Sequence, residues 1–173
     1  ELAGRLRGRL RGLREERQRL QVAARGCCRR GEELQALVGA LCQPPEFQRY
    51  LLFVGDLEKV VNLLLCLSCR LARVRNALRR SRADEDAEER HSLNERHELL
   101  CRQREDAKDL KENLDRREKV VSGILAKYLT EQQLQDYQHF LQLKTSLLIE
   151  QKDLEERIKY CEEQIENLEK SIP

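Results

Sequence analysis

The chain has 173 residues, 37% of them charged and 4% aromatic, with no Trp, no Met and three Pro. That balance argues against a compact globular core of ordinary thickness and for long helices packed as a bundle or coiled coil. Net charge is +2, but residues 1–30 hold ten Arg against three Glu, +7 by count, which leaves −5 for the rest.

The first predicted helix runs from about 2 to 42. Leu6, Leu10, Leu13, Arg17, Leu20, Ala24, Cys27, Gly31, Leu34, Val38 and Leu41 alternate at spacings of four and three, a sustained heptad whose weak points are Arg17 and Gly31. Its six glycines each cost up to ~1 kcal/mol against Ala, so this helix depends on a partner. Its arginines read as a solvated face, as an end that pairs with an acidic partner, or as a nucleic-acid or membrane contact. No aromatic interleaves them and no nucleic-acid motif is present. Pro44 and Pro45 end the helix, because proline lacks a backbone donor and restricts the residue before it.

The second helix, about 46–80, is the most apolar segment. Phe47, Tyr50, Val54, Leu57, Val61, Leu64, Leu71 and Leu78 form one stripe, interrupted by Ser68 and Arg75, and Val60, Leu63, Leu65, Leu67 and Val74 widen it. Residues 81–87 form the one long turn, with Ser81, Asp84 and Asp86 as candidate caps. A third helix, about 88–128, repeats Leu93, Leu100, Ala107, Leu114, Val121 and Tyr128 every seven residues. Its companion seam is polar except at Leu110, Ile124 and Leu125. Thr130 with Gln133 predicts a capping box opening a fourth helix, about 131–171, which ends in the heptad Leu154, Ile158, Cys161, Ile165, Leu168, Ile172.

These breaks predict an all-α fold: an elongated, segmented antiparallel coiled coil or long helical hairpin, one domain over 1–173. Folding at residues 81–87 pairs the second helix with the third and the first with the fourth. The rod would approach about 120 Å at ~1.5 Å per residue. A two-helix rod leaves part of the second helix's stripe uncovered, so another copy or a partner helix supplies the rest.

The seven cysteines sit inside helical patterns, which argues for small core residues in a reducing cytoplasm. Cys66 and Cys69 form a C-x-x-C with helical flanks and no second pair, a weak signal for metal or redox chemistry. The longest apolar run, Leu63 to Leu67, is far below the roughly 20 residues of a membrane span. His91, His97 and His139 lack a nucleophile at any recognisable motif, and no phosphate loop or dinucleotide fingerprint appears. The expectation is therefore no enzyme and no cofactor. Glu112–Arg116 and Asp153–Arg157 read as i,i+4 ion pairs.

Two segments stand apart. In the first, Ser68 to Leu78, Arg70, Arg73 and Asn76 are spaced to line one face. In the second, Asp106 to Arg117, small and polar positions would admit another helix. A solvated face is the competing account of both.

The phrases FVGDLEKVVNLLLCLSCRLARVRNAL and REDAKDLKENLDRREKVVSGILAKYL, with LCQPPEFQRY and YQHFLQLKTSLLIEQKDLEERI, closely resemble the C-terminal domain of Shroom proteins over roughly residues 20–170. The resemblance implies a cytoskeletal adaptor that binds the coiled coil of Rho-associated kinase and recruits it to actin. Myosin II contraction, apical constriction and a place at the actin cytoskeleton of apical junctions would follow. It also admits a homodimer. Carried over, the kinase-binding positions are Ser68, Arg70, Leu71, Arg73 and Asn76, then Lys108, Lys111, Asn113, Arg116 and Arg117. Two positions depart from the family pattern: Cys69 stands where Gly is usual, and Arg75 where an acidic residue is usual. A structural rod that self-associates is the alternative.

Overall fold

A computed structural model describes residues 1–81 and 87–172 of the chain. The candidate caps Asp84 and Asp86 lie outside the described residues. The fold is all-α: α1 is Leu2–Leu41, α2 Pro44–Arg80, α3 Ala87–Leu125 and α4 Glu131–Ser171, with no strand among the described residues.

The chain divides into two compact units. Unit 1 holds Glu1–Leu41 with Leu129–Pro173, and unit 2 holds Cys42–Tyr128. In unit 1, α1 packs on α4. Arg7 meets Glu169 at 3.2 Å near one end, and Gly31 faces Phe140 further along. As one residue number rises its partner's falls, so the pair is antiparallel. Unit 2 is an antiparallel pair of α2 and α3. Asp56 meets Arg117 at 2.9 Å and Arg75 meets His97 at 3.5 Å, which fixes its alignment.

Burial follows the heptads. In unit 1, Leu10 and Leu13 of α1 cluster with Leu154, Ile158 and Cys161 of α4, flanked by Leu6, Leu20 and Ile165. Each buried aliphatic side chain contributes roughly 1.5–3 kcal/mol. Arg17, the weak heptad position, is exposed. Gly31 is not a defect: a Cβ built there would lie 2.9 Å from Cε1 and Cζ of Phe140, whose ring is buried. The absent side chain is what admits the ring. Lys144, at the next seam position, is half-buried with its ammonium 5.8 Å from the Phe140 ring centroid, a cation–π arrangement.

Unit 2 corrects the α2 stripe. Its second half buries Leu67, Leu71 and Val74 against Leu100 and Ala107, with Leu64 and Leu78 alongside. Ser68 and Arg75 are exposed rather than interruptions of the seam. Phe53, absent from the predicted stripe, is buried, whereas Val54 is half-buried. Tyr50, Val61 and Leu71 of the predicted stripe are buried and its other apolar members half-buried, so the correction is confined to its companion positions. On α3, Leu100, Ala107, Leu114 and Val121 are buried as the seven-residue repeat predicts. Leu110 is 50% exposed, so it does not fill the companion seam.

The helix ends are built by side chains. Pro44 and Pro45 sit at the start of α2, two residues before the predicted start. A first-turn proline loses nothing, because its N–H would have no helical partner. Glu46 accepts the Gln43 N–H at 2.9 Å and the Tyr128 hydroxyl at 2.7 Å, and Lys127 Nζ stands 3.9 Å away. One carboxylate thus ties the start of α2 to the segment after α3. There, α3 ends at Leu125, three residues earlier than expected, and the Lys127 and Tyr128 N–H groups turn back to Ile124 and Leu125 in the tighter i to i+3 pattern. The Thr130 capping box forms: its hydroxyl accepts the Gln133 N–H at 3.2 Å, and the Gln133 side chain accepts the Thr130 N–H at 2.9 Å. Such a cap is worth about 1 kcal/mol.

Candidate partner-binding surface on α2 and α3

The buried side of α2 between Leu64 and Leu78 faces α3, so the remaining sides face solvent. Arg70, Arg73 and Asn76 are all exposed and recur every three residues, which keeps them on one outward strip. Ser68 is exposed beside them. Arg79 and Arg80 extend the positive charge through the last turn, where cations are favoured by the helix dipole. Leu71 is 1% exposed and packs in the cluster with Leu67, Val74, Leu100 and Ala107. In this chain it supports the strip from beneath.

The second group spreads around α3. Lys108 pairs with Glu105 and Lys111 with Asp115, each at 3.2 Å. The expected Glu112–Arg116 pair does not form, whereas Asp153–Arg157 does, at 3.2 Å. Asn113 and Arg116 are exposed. Arg117 is turned inward onto Asp56 at 2.9 Å, both side chains 38% exposed, so it ties α3 to α2. The two groups lie at successive levels of one helix pair, not opposite each other. Leu67 meets Ala107 in the shared cluster, where the α3 segment begins and the α2 segment has just started.

A contact beside the first group also escaped the sequence reading. The Arg75 Nε–H donates toward His97 Nε2 at 3.5 Å, and Cys101 Sγ lies 3.9 Å from the same ring. Those partners are 22 residues apart, and only the pairing alignment of the two helices brings them together. Cys66 and Cys69 are half-buried, and neither is in a disulfide. Among the described residues no cluster of three His, Cys, Asp or Glu could hold a metal ion, and no helix is long and apolar enough to cross a membrane.

Large apolar side chains also remain outside both cores. Leu52 and Leu63 on α2, and Leu99, Leu110 and Val120 on α3, are each about half exposed. The α2–α3 alignment sets Leu63 level with Leu110, and Leu52 level with Val120.

Against known proteins, the chain matches the Apx/Shroom domain ASD2 over residues 1–172. It is 53% identical to Protein Shroom3 of Homo sapiens over 173 residues, 100% of this chain and 9% of that protein. It is 47% identical to Protein Shroom2 of Rattus norvegicus over 172 residues, 99% of this chain and 12% of that protein. It is 44% identical to Protein Shroom1 of Homo sapiens over 166 residues, 96% of this chain and 20% of that protein. The chain therefore spans a fifth or less of the length of these relatives.

Proposed function

The chain belongs to the Shroom family, as its Apx/Shroom domain ASD2, and from that premise we propose that it is a non-enzymatic cytoskeletal adaptor domain that docks the coiled coil of Rho-associated kinase. Recruitment of the kinase to actin would then drive myosin II contraction and apical constriction, at the actin cytoskeleton of apical junctions. The observation that carries the docking role is the outward strip of Arg70, Arg73 and Asn76 on a helix whose opposite side is firmly packed. Guanidinium groups held on a rigid helix suit bidentate pairing with the carboxylates of a coiled-coil surface. Ser68 gives the approaching helix a low-profile edge. Lys108, Lys111, Asn113 and Arg116 continue the polar surface along α3, and Arg117 with Leu71 fixes its geometry.

Charge reversal tests this. Arg70→Glu combined with Arg73→Glu should abolish pull-down of the kinase coiled coil while circular dichroism shows unchanged helicity, because both side chains are exposed. Undiminished pull-down would sink the site. A second reading, a structural coiled coil that binds its own copy, is favoured by the exposed Leu52, Leu63, Leu110 and Val120. Light scattering with and without the kinase coiled coil separates the two. A stable homodimer that ignores the kinase supports self-association alone.

A further inference from the structure

Beside its buried stripe, α1 carries a second heptad row. Arg7, Arg11, Arg14, Gln18, Gln21 and Arg25 recur at spacings of four and three, and all six are exposed. Each follows a seam position by one residue, so the row runs along one flank of α1 for about 27 Å at ~1.5 Å per residue. It holds no carboxylate: Glu15 and Glu16 fall off it, and Glu32 lies past its end. Among the described residues only Arg7 of this row has a carboxylate partner, Glu169 of α4 at 3.2 Å.

The facing helix behaves differently. Two exposed cations of α4 pair with carboxylates one turn away on their own helix: Arg157 with Asp153 and Lys170 with Glu166. An ordinary solvated face mixes signs in this way. Beyond Arg7, the arginines of the α1 row have no carboxylate partner among the described residues.

We infer that this row is a docking surface for an acidic amphipathic helix of another protein, one with Glu or Asp at spacings of three and four. Three observations favour that occupant. The row has the period of a helix, so each partner carboxylate would meet a guanidinium or a glutamine amide in turn. Its cations are all Arg, whose planar fork pairs with carboxylates in two parallel bonds. And at one end of the row Arg7 already takes a helix carboxylate, Glu169 of α4. A straight row suits duplex DNA less well, because the phosphates curve away from it. It suits a lipid surface less well too, because the apolar stripe that would insert is already packed on α4.

This inference does not rest on the kinase reading. Fluorescence anisotropy with a labelled three-heptad helical peptide, Glu at the matching positions, tests it on the whole domain. Binding should weaken at least about tenfold between 50 and 300 mM NaCl, since screening acts on exposed pairs. Arg11→Glu, Arg14→Glu and Arg25→Glu together should remove it with helicity retained. If that variant unfolds, the Gln substitutions at the same positions should still weaken it by about tenfold. A composition-matched peptide with its Glu positions permuted should bind poorly. Equal binding by the permuted peptide, indifference to these substitutions, or tighter binding to duplex DNA or to phosphatidylserine vesicles would each overturn the proposal. The kinase coiled coil run in parallel keeps the two ideas separate: the α1 variant should still pull it down, whereas the α2 variant should still bind the acidic peptide.

Discussion

Gly31 shows how one missing atom sets a local fit. The Phe140 ring occupies the space a Cβ would need, with 2.9 Å to two ring carbons. Gly31→Ala would gain up to ~1 kcal/mol of helix propensity but overpack a buried ring, which costs about 1–3 kcal/mol. The expected net is a loss of about 1 kcal/mol in denaturant melts, recovered in part when Phe140→Leu is added. At Gly12 nothing lies within 4 Å of the added Cβ, so Gly12→Ala should stabilise by about 0.5–1 kcal/mol. Opposite signs at two glycines of one helix are the check; stabilisation at both would mean that the ring moves freely. Tyr50 gives a second single-residue test. Burial pushes its hydroxyl up to about 12. In the unfolded chain it ionises near 10, so folding keeps it protonated, and that contribution is lost as pH rises from about 10 toward 12. Wild type should lose about 2–3 kcal/mol over that window, and Tyr50→Phe should flatten the loss. Equal slopes in the two proteins would disprove it.

At the scale of the element, the ends carry the information. Glu46 is held below the ordinary carboxylate range, first by the Tyr128 hydroxyl, then by the Gln43 N–H and the nearby Lys127 charge. Tyr128 is raised, first by the same bond. A lowered carboxylate stabilises the fold above its unfolded value near 4.3, and that contribution is lost as pH falls through the folded value. A raised tyrosine stabilises below about 10 and loses its contribution as pH rises through its own folded value. The clasp is therefore intact between these limits. Glu46→Gln should flatten the decline in thermal midpoint below about pH 5; an unchanged acid limb would show that the bond is not made in solution. The Thr130 box was legible because its partners are three residues apart. The Glu46–Tyr128 bond was not, because 82 residues separate them and no local pattern marks the pair. The α2 stripe was legible in part. Tyr50, Val61 and Leu71 are buried as the stripe predicts, but two sets of companions satisfied the same spacing, and the packing buries Phe53, Leu67 and Val74.

At the scale of the molecule, the four helices and their pairing follow from where the apolar period stops and restarts. The choice of faces needed the partner helices. Of the residues proposed for docking, the shared strip of Arg70, Arg73 and Asn76 could be read from spacing alone. The inward turn of Arg117 onto Asp56 could not. Unit 2 is a contiguous segment with its own core of Leu67, Leu71, Val74, Leu100 and Ala107. A fragment of residues 42–128 should consequently unfold as one cooperative, helical transition by circular dichroism. A fragment of 1–41 alone should be largely unstructured, since its glycine-rich helix has lost α4. A gradual, non-cooperative melt of the 42–128 fragment would contradict the first expectation.

The pairing of α1 with α4 sets a timetable for the nascent chain. α1 leaves the ribosome first, yet its partner begins only at Glu131. At about 5–20 residues per second, the stripe from Leu6 to Val38 waits several seconds or more for cover, while α2 and α3 are separated by only six residues of sequence. A short loop closes at little entropic cost, and distant partners meet late. In that interval charge repulsion among the arginines of α1 would keep an uncovered leucine row apart from its copies. The same residues that offer a binding flank in the finished domain would guard the unfinished one against aggregation.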